Sequence, residues 1–199
     1  TEAATSKLGI QDLCWIQTRI DSWILAALSG PSLLSLYSTI SGRCFFKYDA
    51  SPEFFSCIRG DPFDRRHFCA LGLKGFLLSG TVLGDTENDV VVKELQIRTE
   101  TSELQRLERD SSSGAGGNGA PALAVFPTYM VRFAYSWHWK HILYVVFPRE
   151  LVVFDLQYET ELSMAALPRG CEKFLDVLAD SHKLPGTLSL FGFVQSNHR

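Results

Sequence analysis

The chain contains two copies of one pattern, in which two apolar runs are separated by a short break that contains proline. The first copy covers residues 24–37, the second covers residues 142–155, and the two overlap without a gap. A polar turn and a third apolar run follow each copy. Several short strands in each of a series of repeated units are typical of the blades of a β-propeller. The pattern therefore predicts an all-β chain whose function lies in its surfaces.

Four such units can be placed along the chain. Strand-like runs begin near Ile10, Phe54, Tyr129 and Phe174. The predicted blades are near residues 8–50, 53–98, 128–168 and 173–196. We expect residues 8–178 to form a propeller fragment of three to four antiparallel, four-stranded blades. A closed propeller has about four to eight blades, so the prediction is that this chain is part of a larger ring.

Two segments depart from this organisation. Residues 100–110 are highly charged, which is compatible with a short helix, and residues 111–120 are rich in Ser and Gly. Such a composition is typical of a flexible linker, so residues 100–121 are predicted to be a long disordered insertion. The glycine run within it lacks the Lys-Ser/Thr end of a phosphate-binding loop. Residues 179–199 do not continue the blade pattern and are predicted to be an atypical tail.

Composition narrows the possible functions. The 199 residues carry a formal net charge of −3, whereas nucleic-acid binding needs clustered Lys and Arg, so we expect no nucleic-acid partner. The five cysteines are scattered and form no Cys-x-x-Cys pair. They indicate buried, reduced thiols in a cytoplasmic protein. No signal-peptide pattern is visible, and the start at Thr1 is typical of a piece excised from a longer protein.

One apolar stretch approaches the length of a membrane span. Residues 23–40 carry no charged side chain, and a spanning helix needs about 20 apolar residues. Gly30 and Pro31 interrupt the stretch near its middle. Because this dipeptide favours a turn, we predict two strands here and no transmembrane segment.

The densest group of side chains that could bind a partner lies at residues 137–141. Trp side chains contribute strongly to the energetics of protein interfaces. The candidate partner-binding residues are Trp137, His138, Trp139 and Arg149. Two alternatives remain open for this cluster. It could be a blade turn whose aromatic rings pack on the next unit, or a metal-binding or enzymatic site built on His138 and His141.

No catalytic arrangement is visible elsewhere in the sequence. It contains no nucleophile elbow, phosphate loop or metalloprotease motif. His67 could act as a general base, but no Ser, Cys or carboxylate partner for it is evident, which favours a structural role. We therefore expect a non-enzymatic chain without a cofactor or a metal.

Three stretches resemble the WD40 β-propeller family. They are IQDLCW at 10–15, DPFD at 61–64 and FPRELVVFDL at 147–156. The segment around DPFD resembles a WD40 blade in which the Gly-His and Trp-Asp dipeptides have degenerated. Asp155 lies where such repeats place the Asp of Trp-Asp, and Tyr37 takes the matching position in the first copy. Within the family, the resemblance is to large scaffolds with two propellers followed by a helical region.

This resemblance implies a function. The implied function is that of a scaffold for protein–protein interaction in vesicle tethering and in transport between endosomes and the trans-Golgi network, with links to Hedgehog signalling and cilium assembly. The implied partners are trafficking adaptors or tethers, through which the protein would associate peripherally with membranes. The implied location is the cytoplasm, with the trans-Golgi network, cytoplasmic vesicles, the base of the cilium and the nucleus. The family offers no catalytic residues to carry over.

Overall fold

The computed structural model describes residues 9–98, 131–167, 169–179 and 190–196. Almost all of the regular structure in these residues is β-strand, and the exception is a 3-10 turn at Glu87–Asp89. The strands are β1 (Ile10–Arg19), β2 (Ser22–Ser29), β3 (Leu33–Ser38), β4 (Cys44–Asp49), β5 (Phe55–Gly60), β6 (His67–Gly72), β7 (Phe76–Val82), β8 (Val90–Gln96), β9 (Arg132–Tyr135), β10 (Ile142–Phe147), β11 (Glu150–Asp155), β12 (Thr160–Ala166), β13 (Cys171–Ala179) and β14 (Leu190–Ser196). The predicted all-β class is confirmed.

The strands form successive antiparallel sheets in the order of the chain. β1–β4, β5–β8 and β9–β12 each form a four-stranded sheet, and β13 pairs with β14. The first strand of each sheet contacts the first strand of the next, since β1 contacts β5, β5 contacts β9 and β9 contacts β13. These first strands therefore lie together at the inner edge of the stack. This is the arrangement of propeller blades, and the four sheets are called blades 1 to 4 below.

Apolar layers between the blades hold the stack together. The layer between blades 1 and 2 includes Ile16 and Phe68, and the layer between blades 2 and 3 includes Leu71 and Phe133. A smaller layer joins blade 3 to β13. The side chains of β10 alternate between the second and third of these layers. Because neighbouring blades cover both of its faces, β10 is apolar throughout and shows no polar alternation.

Polar contacts also join neighbouring inner strands. The carboxylate of Asp12 on β1 lies 2.6 Å from the guanidinium of Arg59 on β5 and accepts the amide of Ile58 at 2.9 Å. Arg132 on β9 donates to the hydroxyl of Ser56 on β5 at 3.1 Å. These contacts fix the positions of neighbouring inner strands relative to one another along the strand direction. The apolar layers alone would allow the strands to slide in that direction.

The two copies of the sequence repeat are the second and third strands of blades 1 and 3. Ile24 pairs with Ser38 in blade 1, and Ile142 pairs with Asp155 in blade 3. The predicted overlap without a gap is wrong at the turn, because blade 1 connects its strands through residues 30–32 and blade 3 through residues 148–149 only. Asp155 therefore corresponds to Ser38 and not to Tyr37.

The corrected correspondence pairs two residues with the same structural role. The hydroxyl of Ser38 accepts the amide of Ser41 at 3.4 Å, and the carboxylate of Asp155 accepts the amide of Gln157 at 2.8 Å. Each side chain thus caps the turn that follows its strand, as Ser and Asp commonly do. Both residues are buried, so the capping position belongs to the interior of the blade.

The prolines of the two copies also have a common role. The carbonyl of Pro31 accepts the amide of Phe55, and the carbonyl of Pro148 accepts the amide of Phe174, both at 2.8 Å. Phe55 and Phe174 lie on the first strands of blades 2 and 4. The proline-containing turn of each copy is therefore a point of contact with the following blade, from blade 1 to blade 2 and from blade 3 to blade 4.

Other predicted features can be compared with the described residues. Residues 23–40 form the β2–β3 hairpin, in which Gly30 has a φ of 58°, as predicted from the Gly-Pro dipeptide. The described part of the chain has no helix long and apolar enough to cross a membrane. The predicted insertion at 100–121 lies outside the described residues, as do residues 180–189 and 197–199 of the predicted tail.

The five cysteines differ in burial. Cys57 and Cys69 are buried, whereas Cys14, Cys44 and Cys171 are half-buried, and all are free thiols. The prediction of buried thiols is therefore correct for two of the five. Burial, helped by the nearby carboxylate of Asp12, raises the pKa of the Cys14 thiol to about 11, so its reactive thiolate is scarce at neutral pH.

We expect N-ethylmaleimide to modify Cys44 before Cys57 and Cys69 in the native protein at neutral pH. The last two thiols become accessible only when the blades open, and the raised pKa of Cys57 slows it further. Mass spectrometry of peptides after timed alkylation measures the order. The same reaction in denaturant is the control, and native Cys57 reacting as fast as Cys44 would contradict the blade packing.

Candidate functional site

The connections between strands lie at two opposite ends of the blades. One end, called the loop face, carries the connections from the first to the second strand and from the third to the fourth strand of a blade. These connections are residues 20–21, 39–43, 61–66, 83–89, 136–141 and 156–159. The other end, called the turn face, carries the connections from second to third strands and the entries into the next blade. The antiparallel order of the strands dictates this separation.

The connection at 136–141 holds three of the four candidate partner-binding residues. The buried hydroxyl of Ser136 accepts the amides of His138 at 3.1 Å and Trp139 at 3.0 Å, which fixes the backbone of the loop. Trp137 and Trp139 remain 48% and 51% exposed. His138 is half-buried, with its ring edge-on to that of Trp139 at a centroid distance of 6.1 Å. The loop thus presents two tryptophans to solvent, one of them supported by His138.

Arg149 lies at the opposite end of the same blade. It is exposed in the turn between β10 and β11, on the turn face, and its carbonyl accepts the amide of Leu167 at 2.8 Å. The whole length of β10 separates it from the 136–141 loop, which at about 3.3 Å per residue is roughly 20 Å. The structure therefore does not bring Arg149 together with Trp137, His138 and Trp139.

The metal-binding alternative depends on His138 and His141. His141 is exposed at the end of the loop, with a φ of 68°. Within the ranges that the structure describes, no group of three or more His, Cys, Asp or Glu side chains could hold a metal ion. Zinc sites in proteins use three or four such ligands. Nothing in the described residues therefore supports a metal centre at this loop.

His67 has the two partners that sequence analysis did not identify. Its Nδ1 lies 3.1 Å from the carboxylate of Asp61, and its Nε2 lies 2.7 Å from the hydroxyl of Ser79. Neither a Ser nor a carboxylate partner was evident from the sequence, and the structure shows one of each. Ser79 pairs with Cys69 across β6 and β7, so it lies diagonally opposite His67 on the same face of the sheet. The strand register would have revealed this partner, and it was not known from the sequence.

The protonation state of His67 decides what this network can do. Burial is the largest effect and lowers the pKa of the imidazole, but the hydrogen bonds and electrostatic interactions with Asp61 and Cys69 together outweigh it, and the pKa rises to about 10. Burial likewise raises the pKa of Asp61, but the interactions with His67 and the hydrogen bonds from the backbone amides of Phe63 and Asp64 together produce a net lowering. At neutral pH both ring nitrogens therefore carry protons, and His67 cannot accept the proton of Ser79 as a general base would. The network is therefore a charged, hydrogen-bonded cluster that links β6, β7 and the 61–66 connection.

A second pair of exposed tryptophans lies beside the inner edge of blade 1. Trp15 and Trp23 meet edge to face at a centroid distance of 6.4 Å. With Arg65 and Asp61 they border a cavity of about 410 Å³, which is also lined by Gln17 and Gly60. Both tryptophans lie in segments that the sequence predicts to be strands, but their contact could not be predicted from it. The register that pairs Gln17 with Trp23 brings them together.

These sheets define a β-propeller domain, and its exposed loops and strand edges are surfaces on which partners could bind. A family model described as the first β-propeller of WDR11 matches residues 1–184, and the chain therefore belongs to that family. The resemblance to the WD40 family, and within it to WD repeat-containing protein 11, is thus confirmed. No curated protein matches the chain in sequence.

Solved structures agree on the fold. The β-propeller domain of Myceliophteria thermophila Cps50 (Swd1) matches with a TM-score of 0.55 at 10% identity, over 86% of this chain and 46% of that one. Chaetomium thermophilum Raptor matches with a TM-score of 0.58 at 7% identity, over 87% of this chain and 14% of that one. The computationally designed protein Ika4 matches with a TM-score of 0.55 at 10% identity, over 94% of this chain and 92% of that one.

The chain thus spans about half the length of the Cps50 propeller domain. Identities this low establish the shared fold and nothing more specific. WD40 propellers are generally non-enzymatic scaffolds for protein interaction, and membership of the WDR11 first-propeller family supports that role for this chain.

Proposed function

We propose that the protein is a non-enzymatic scaffold for vesicle tethering and for transport between endosomes and the trans-Golgi network, with links to Hedgehog signalling and cilium assembly. The observation that carries the proposal is the match to the first propeller of WDR11 over residues 1–184. The protein would act in the cytoplasm, on trans-Golgi membranes and vesicles, at the base of the cilium and in the nucleus.

The placement of the candidate residues supports a scaffold that contacts two partners at once. Trp137, His138 and Trp139 lie on the loop face, and Arg149 lies on the turn face. A compact partner that docks on one face would not contact the other, because the two faces lie at opposite ends of the strands of blade 3, roughly 20 Å apart. We therefore propose two separate contact surfaces at opposite ends of blade 3, which is the geometry that a tether between two bodies requires.

Relocation of the complete protein tests the tethering role. We expect the complete protein, fused to a mitochondrial outer-membrane anchor, to collect vesicles carrying trans-Golgi cargo on mitochondria. The double variant Trp137→Ala/Trp139→Ala is expected to lower the captured cargo by about tenfold, because exposed tryptophans are strong interface anchors. Immunofluorescence of the cargo on mitochondria measures capture.

Leu162→Ala is the matched control, since it alters an exposed apolar residue on β12, the outer strand of the same blade, away from both proposed surfaces. We expect it to leave vesicle capture within about twofold, as surface changes away from a contact usually do. Absence of any capture by the unaltered protein would contradict the tethering role. Equal loss in both variants would contradict the assignment of vesicle capture to the loop face.

A further inference from the structure

Every described connection on the loop face carries an exposed large apolar side chain. The exposed fractions range from 40% for Phe63 to 87% for Ile20. The full set is Ile20, Ile40, Phe63, Leu83, Trp137, Trp139 and Tyr158. These side chains come from six separate connections in three blades, so the pattern is shared by all the described connections of this face.

The turn face differs. Its described connections contain small or polar residues at 30–32 and 148–149, and their larger apolar side chains are half-buried or buried. None of the exposed large apolar residues in the described ranges belongs to a connection on this face. A single exposed apolar residue is unremarkable, but among the described connections such residues occur at one end of the blades only, which indicates a surface that is covered in use.

Neighbouring blades cannot provide this cover. Blades pack through the flat sides of their sheets, as the three apolar layers show, whereas the loop face lies at the strand ends, perpendicular to those layers. The exposed side of blade 1, with Leu13 and Tyr37, is a surface that another blade could cover. The loop tips require a different kind of partner.

The side-chain types and their spacing favour a lipid surface over a protein. Trp and Tyr are enriched at the boundary between membrane and water, where their rings span the apolar and polar layers. A protein partner needs a contiguous patch with a complementary shape, but here each loop offers one or two apolar tips surrounded by polar residues. A fluid bilayer accepts each tip separately and needs no matching cavity.

The charged residues of the loop face determine which lipid headgroups it would bind. Arg65, Arg66 and Lys140 stand among the aromatic tips and can contact lipid phosphates. The 83–89 connection, however, carries Asp85 and Glu87 as well as Asp89, and across the six connections carboxylates outnumber cations. The face is therefore not a basic patch of the kind that selects anionic lipids, and apolar insertion has to supply the binding.

We propose that the loop face docks directly on the surface of a phospholipid bilayer, with the apolar tips of its connections inserted between the headgroups. This deepens the tethering role proposed above and rests on it, since the bilayer would be that of the captured vesicle. The turn face, with Arg149, remains available to a protein.

Protein-free vesicles test the proposal independently of any tethering factor. We expect the complete purified protein to sediment with phosphatidylcholine vesicles, and added phosphatidylserine or raised salt to change binding by less than about threefold. The variant Ile20→Ser/Phe63→Ser/Trp137→Ser/Trp139→Ser is expected to bind at least about tenfold less. The control Val91→Ser/Leu162→Ser removes comparably exposed apolar side chains from outer strands and should bind normally.

A second measurement uses conservative substitutions that keep an aromatic ring at both loop positions. Brominated phosphatidylcholine quenches tryptophan that enters a bilayer, and we expect Trp137→Phe/Trp139→Phe to remove most of the quenching seen with the unaltered protein. Binding that requires phosphatidylserine and disappears in high salt would overturn the proposal. So would an absence of both sedimentation and quenching. If vesicles are still captured at mitochondria in that case, the tethering role stands and the loop face is assigned to a protein partner.

Discussion

Replacing Gly80 with alanine is expected to lower the free energy of unfolding by about 2 kcal/mol. A Cβ at Gly80 would lie 2.3 Å from Cζ and 2.5 Å from Cε1 of Phe68, which pairs with it across β6 and β7. Phe68 is fully buried in the layer between blades 1 and 2, so its ring has no room to move. Alanine would restrict the unfolded chain more than glycine does, but that gain is at most about 1 kcal/mol and the clash outweighs it.

Hydrogen exchange at the backbone amides of β6 and β7 measures this change in unfolding free energy, and the method can be applied to this chain or to a longer protein that contains it. Gly9→Ala is the control, since no atom lies within 4 Å of its Cβ position, and it should change stability by less than about 0.5 kcal/mol. Phe68→Leu should restore part of the stability in the Gly80→Ala background although it is destabilising alone, because the smaller side chain relieves the clash. Strict additivity of the two changes would contradict this account.

Substituting His67 with glutamine is expected to cost about 3 kcal/mol at pH 6 and much less near pH 10. The exposed fractions of the His67 and Asp61 side chains are 14% and 6%, so removing one partner leaves a buried charge unpaired. Because the pKa of His67 rises from 6.5 to about 10 on folding, its stabilisation is complete below pH 6.5 and is lost as the pH rises through 10. The lowered pKa of Asp61 has the opposite sense, so the contribution of Asp61 is present above its ordinary pKa of 3.8 and is lost in acid.

The contribution of the pair is therefore greatest between about pH 4 and pH 6.5. Denaturation by urea at a series of pH values, for the unaltered protein and for His67→Gln, gives the difference in unfolding free energy directly. Asp61→Asn should reproduce the loss at pH 6, because it also leaves one buried group without its charged partner. A difference that stays constant from pH 6 to pH 10 would mean that His67 is neutral in the folded protein.

The fold could be predicted from particular short segments. The proline-containing breaks at residues 30–32 and 148–149, and the Gly72–Gly75 turn in which Gly75 has a φ of 84°, mark where strands reverse. Turn chemistry and apolar runs are local properties of the chain, so strand positions and blade order followed from them.

The strand register, which decides which residues pair across neighbouring strands, could not be predicted from turn residues and apolar runs. The extra residue in the 30–32 turn shifts every later residue of β3 by one relative to β11, and only the pairing of Ile24 with Ser38 reveals it. For the same reason, the contact between His67 and Ser79 and the contact between Trp15 and Trp23 could not be predicted from the sequence. Contacts between strands depend on which residue faces which, and a shift of one residue leaves local composition unchanged.

The sequence by itself determined the class of protein, the number of strand units and the residues that were candidates for binding. Repeated strands, turn residues and apolar runs carry that information because each acts over only a few positions. The tertiary structure alone decided that Trp137 and Arg149 lie on opposite faces, that His67 is clamped by Asp61 and Ser79, and that the exposed apolar loop tips share one face. Those facts depend on how blades stack and which ends of their strands coincide, and no local pattern in the chain encodes either.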